Sequence, residues 1–147
     1  MKQQRPRLVP GVLVPIVLAL VWAASACHKD AAPSTPAAPS VPLMTETFNG
    51  TVSVKSADSH NFSVSQTGSV NVTLTTAGPP PTVVMGVGIG LPKDSACTLI
   101  TGASTNTAAG SSTQLAGTVT AGTLCVQVYD VGNQTVPVSY TVTVAHP

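Results

Sequence analysis

From Leu43 to the C-terminus the chain alternates apolar and polar residues with a period of two, and it nowhere shows the spacing of an amphipathic helix. Phe48, Gly50, Val52 and Val54 alternate with Asn49, Thr51, Ser53 and Lys55. After the polar turn Ser56-Ala57-Asp58-Ser59, Phe62 and Val64 alternate with Asn61, Ser63 and Ser65. Gln66-Thr67-Gly68 then turns the chain into Val70, Val72 and Leu74. Pro79 to Pro81 break the pattern before Val83–Ile89, and Cys97, Leu99 and Ile100 follow a further turn. Residues 101–112 hold no core side chain and read as a mobile loop. Leu115 and Val119 mark a short strand, Leu124, Val126 and Val128 the next, and Val136 to Val144 the last. That makes about eight strands, rich in β-branched Val and Thr, each with one face to hide. Two antiparallel sheets packed face to face hide them all, so the expected fold is an all-β sandwich over 43–147.

The N-terminus has a different grammar. Lys2, Arg5 and Arg7 precede an uncharged run from Leu8 to Ala26, which ends in small residues, as an export signal does at its cleavage site. Pro10, Gly11 and Pro15 make that run a poor spanning helix. Cys27 comes next. Ala24-Ser25-Ala26-Cys27 resembles the lipobox of bacterial lipoprotein precursors. The resemblance implies that residues 1–26 are removed and that the Cys27 sulfur carries a diacylglyceryl group. Two or more acyl chains anchor a protein stably, each buried methylene contributing about 0.8 kcal/mol. A secreted protein cut after Ala26 and an uncleaved anchor at Leu8–Ala26 are the other two readings. His28, not Asp, follows the cysteine, which points to the outer membrane if the cell has two.

Residues 27–42 are the lipidation site and a Pro/Ala-rich tether, with four prolines and no hydrophobic periodicity after Cys27. Such a stretch favours extended conformations, and fifteen residues at ~3.1 Å each reach at most about 45 Å. Beyond residue 26 the chain keeps three lysines (Lys29, Lys55, Lys93) against five acids, a side-chain sum of −2. With charged residues at 7 % of the whole sequence, there is no basic field for a nucleic acid.

Asp58-Ser59-His60-Asn61-Phe62-Ser63-Val64, with Gly68 and Val70-Asn71-Val72-Thr73-Leu74, resembles the early strands of bacterial pre-peptidase C-terminal domains. Ala121 to Tyr129, leading to Tyr140-Thr141-Val142-Thr143-Val144, is similar to their closing hairpin. The resemblance implies a small jelly-roll-like sandwich with a binding or adhesive role. The acidic pattern those modules carry in a middle strand has no counterpart in Pro81-Thr82-Val83-Val84-Met85. The resemblance therefore implies no calcium site there.

Export places Cys97 and Cys125 in an oxidising setting, and both sit in apolar strand contexts, so a bridge between them is expected. Closing that loop contributes roughly 3.5 kcal/mol in the chain-entropy model. His28, His60 and His146 are scattered, and Glu46, Asp58, Asp94 and Asp130 fall singly in separate turns. Neither zinc spacing nor a calcium loop is present, and His60 with Asp58 reads as a solvated turn pair. Gly86, Gly88 and Gly90 share one strand face, either a surface for a ligand or a gap that a neighbouring strand fills. Tyr129 is the one aromatic whose phase points outward.

The expectation is thus a lipid-anchored envelope protein with a non-catalytic binding, adhesive or structural sandwich. No catalytic residue, metal or cofactor is expected. Its partners are the membrane through Cys27 and an envelope protein or polysaccharide. An accessory subunit of an exported hydrolase and a carbohydrate-binding module are the alternatives.

Overall fold

Eight strands and no helix make up residues 42–147, the part of the chain that the structure, a computed structural model, describes. The export signal, Cys27 and the tether up to residue 41 lie outside the described residues. The strands are β1 (Met44–Val52), β2 (Ala57–Val64), β3 (Gly68–Gly78), β4 (Val84–Lys93), β5 (Ala96–Ala108), β6 (Leu115–Val119), β7 (Gly122–Asp130) and β8 (Val138–His146). One sheet has the order β1-β8-β3-β6 and the other β2-β7-β4-β5, and every pairing is antiparallel. Such interleaving of two four-stranded sheets is the jelly-roll form of the β-sandwich.

The inward faces meet in a core built mainly of valine. Val70, Val72 and Leu74 on β3 and Val142 and Val144 on β8 have no exposed surface. Opposite them lie Met85 and Val87 on β4, Val126 and Val128 on β7, and Phe62 on β2. The outward positions of the first sheet carry Thr47, Asn49, Thr51, Ser139, Thr141 and Thr143, which are polar and β-branched for the most part. Four of them form two pairs across strands, Thr141 Oγ1 donating to Asn49 Oδ1 at 2.7 Å and Thr51 meeting Ser139 at 3.2 Å. Beyond the start of β6, the Gln114 side chain stands in for a strand neighbour. It accepts from Leu74 N at 2.7 Å and donates to Leu74 O at 3.3 Å.

Three local expectations change. Residues 101–108 are not a loop: they continue β5, where Ser104 to Ala108 pair with Gly88 to Val84. An edge strand beyond the core needs backbone partners but no large apolar side chain, so hydropathy could not reveal it. Residues 100–103 bulge out between the pairings of Leu99 and Ser104. Strand β2 begins at Ala57, so Asp58 lies in a strand and the turn is at Val54–Lys55. Val136 is exposed and precedes β8.

The ends of the sandwich differ. The chain enters β1 at Met44, opposite His146, and β1 finishes at Val52, opposite Val138. Nine residues at ~3.3 Å each put these two ends about 25–30 Å apart. The connections β1–β2, β3–β4, β5–β6 and β7–β8 all lie at the Val52 end.

Leu74→Ala should cost about 2–5 kcal/mol by denaturant titration, because the rigid valine layer around it closes poorly over a void. Thr47→Ala, on the outer face, should stay within about 0.5 kcal/mol.

Candidate functional site

The edge where β1 and β2 face each other gathers most of the chemistry-bearing side chains among the described residues. Both strands end their sheets, and both turn polar residues inward: Glu46 on β1, next to the aromatic Phe48 of the same face, and Asp58 and His60 on β2. Inward charge at an edge deters further strand pairing. Tyr140 reaches this edge from β8. Its hydroxyl donates to Asp58 Oδ2 at 2.8 Å and contacts His60 Nε2 at 2.9 Å.

The proton positions follow from that geometry. Tyr140 has one hydroxyl proton, and Asp58 receives it. His60 must therefore carry its proton on Nε2 and donate to the Tyr140 oxygen. Burial first, and then the hydrogen bond and charge of Asp58, hold the Tyr140 hydroxyl far above its ordinary value of 10.0. A nucleophile needs a histidine that accepts its proton, and here the histidine donates. The chain His60–Tyr140–Asp58 is arranged as a clamp between the two sheets and not as an activated hydroxyl. Gly50, opposite Tyr140 in register, makes room for it, since a Cβ there would collide with the Asp58 carboxylate and the Tyr140 hydroxyl.

Aromatic stacking continues the clamp. The Phe48 and His60 rings lie 5.0 Å apart and nearly parallel, and Phe62 meets His146 at 5.2 Å. His146, fully buried, bonds Glu46 Oε1 at 2.9 Å. Neither Glu46 nor Asp58 lies in a turn, and Asp58 and His60 are not a solvated turn pair but half-buried members of one strand face. The signal was present in the sequence: Glu46, Phe48 and Gly50 are in phase with buried Val52, and Asp58 and His60 with buried Phe62 and Val64.

The other singled-out residues fall elsewhere. Cys97 and Cys125 form a disulfide on the outer side of the second sheet. Gly90, the register partner of Cys125, lies beneath it, where a Cβ would meet Cys97 Sγ and the Thr98 carbonyl. Leu99 fills the place of a side chain at Gly88, and the Tyr129 ring lies over Gly86. The glycine face is thus covered by its own neighbours, and Tyr129 rests on that face. Asp94 sits in the β4–β5 turn, and Asp130 ends β7. Among the described residues no group of three or more His, Cys, Asp and Glu side chains is placed to hold a metal ion. At the opposite edge, between β5 and β6, Ile89, Ile100, Ala103, Leu115 and Val119 line an apolar cavity of about 190 Å³.

No protein-family model matches the chain, and no curated protein matches it.

Because Tyr140 holds its proton more tightly folded than unfolded, its share of stability is full below pH 10 and is lost as pH rises above that. Tyr140→Phe should cost roughly 1–3 kcal/mol at neutral pH, at the lower end because water reaches Asp58. In urea titrations from neutral to alkaline pH, the gap between wild type and variant should hold to about pH 10 and narrow beyond it. A gap that closes instead below pH 8 would contradict the assigned proton positions.

Proposed function

We propose that this chain is a lipid-anchored envelope protein whose sandwich serves as a non-catalytic binding module held off the membrane by its Pro/Ala-rich tether. The observation that carries the proposal is Cys27, placed directly after the small residues that close an export signal. The Cys97–Cys125 bridge supports it, since such bonds persist in oxidising compartments. The clamp supports the non-catalytic part: its one hydroxyl is hydrogen-bonded to a carboxylate and raised in pKa, the reverse of what an attacking group requires.

The direction of the sandwich gives the module a working end. The chain enters the sandwich at Met44, and the four connections of the Val52 end lie at the far end of β1 from that entry. Contact there runs through hydrogen bonds, because the domain carries few charges. The resemblance to pre-peptidase C-terminal modules is consistent with this arrangement, and the partner is an envelope polysaccharide or protein.

Cells grown with an alkyne-tagged fatty acid should label the protein and retain it in the membrane fraction. Cys27→Ala should abolish the label and release the folded, disulfide-bonded domain from that fraction. A label that survives Cys27→Ala, or an unlabelled wild type, would overturn the anchored reading.

A further inference from the structure

Among the described residues, Tyr129 is the one aromatic side chain on an outer sheet face, one residue before β7 ends. A Cβ at Gly86 would collide with its Cδ2, Cε2 and Cζ atoms together, so the ring lies across the β4 backbone. One ring face is thereby covered. The residue as a whole is only half-buried, which leaves the opposite face to solvent. Leu99, also half-buried, fills the corresponding place at Gly88. Outward positions two residues apart on a strand are separated by roughly 6.5 Å. Tyr129 and Leu99 therefore form one low apolar strip along β4, which lies close to the sheet because the strand beneath has no side chains there.

Register fixes what borders the strip. Tyr129 and Gly86 share a cross-strand row with Ala57 on β2 and Asn106 on β5. The next outward row runs Ser59, Gln127, Gly88 and Ser104. Hydroxyls and amides thus stand on both sides of the strip, with Ser59 and Gln127 on one side and Ser104 and Asn106 on the other. Ser104 and Asn106 are exposed. None of these side chains is charged, and residues 95–129 contain no Asp, Glu, Lys or Arg.

We propose that this strip is the binding face for a neutral polysaccharide chain. A pyranose ring has an apolar face of C–H bonds and a rim of hydroxyls. Its face needs a flat apolar support, which the Tyr129 ring and Leu99 supply. Its rim needs donors and acceptors on both sides at once, which the two amides and the two serines supply. A peptide is a poorer match. Peptides add to a strand edge or enter an aromatic-lined groove, whereas β7 and β4 are inner strands and the strip lies on their open face. The proposal rests on the binding-module reading, whose partner it names, and is independent of the lipid anchor.

The test uses the full lipidated chain in nanodiscs, with the tetrasaccharides of cellulose, chitin, mannan and xylan as probes in saturation-transfer NMR. At least one should bind saturably, in the millimolar range or tighter, and the anionic tetragalacturonate should not. Tyr129→Ala should weaken that binding about tenfold, the effect of losing a central aromatic anchor. Tyr129→Phe should stay within about twofold, because the ring and not the hydroxyl carries the contact. Asn106→Asp, at an exposed position, should weaken binding by setting a charge beside the strip, and it decides the matter if Tyr129→Ala fails to fold. Silence from every neutral probe would overturn the proposal. So would undiminished binding by Tyr129→Ala or Asn106→Asp, or a preference for the tetragalacturonate. Silence with the fatty-acid label intact would sink this face and leave the anchor standing. Loss of the label with sugar binding intact would do the reverse.

Discussion

The structure depends on a thin dry layer between two sheets, filled mainly by valine. Valine is short and stiff, so it packs well only where strands on both sides present an unbroken inward alternation. Val52, Val70, Val72, Val126, Val128, Val142 and Val144 meet that condition at the centre of the sandwich. Such a layer cannot seal its own margins, because short side chains do not reach beyond the strands that bear them. Each open edge therefore needs a different closure. Between β1 and β2 the closure is a ladder of rings and hydrogen bonds running from Glu46 and His146 through Phe48 and His60 to Tyr140 and Asp58. Between β5 and β6 it is a loose apolar contact that leaves a small cavity.

The same economy explains the outer face of the second sheet. Glycine at 86, 88 and 90 strips β4 of side chains on that side, and β5 and β7 fill the space with Leu99, Tyr129 and the disulfide. The bridge can cross β4 because position 90 carries no Cβ. Covalent closure and glycine placement are two halves of one feature.

Strand number and sandwich class were legible because each rests on a local pattern, alternation and β-branching, and the cysteine pair because Cys97 and Cys125 are the only cysteines after Cys27 and both sit in apolar strand contexts. The glycine face was only half legible. Its bareness is local, but what covers it comes from Leu99 and Tyr129, set by strand register that no single segment encodes. Residues 101–108 misled for the opposite reason, since an edge strand is defined by the backbone of its neighbour. The clamp was hidden because the β1–β2 turn was expected at 56–59 and lies at Val54–Lys55, which left Asp58 outside the strand that it shares with His60 and Phe62. Gln134, buried at the end of the sandwich, gave no signal at all. An amide among Asn, Thr and Gly looks like any surface loop, and its burial follows from Asp130 drawing the loop onto the end of the sandwich.

The domain thus has a polarity that suits a tethered module, with its chain entry at one end and its preorganised loops at the other. The claim at the centre of this account is that the domain is exported, disulfide-bonded and carried on a lipidated Cys27. The most direct measurement is the intact mass of the natively produced protein before and after reduction. The account predicts a chain beginning at Cys27 with the added mass of a diacylglyceryl group, gaining the mass of two hydrogen atoms on reduction. An unlipidated chain whose mass does not change on reduction would contradict it.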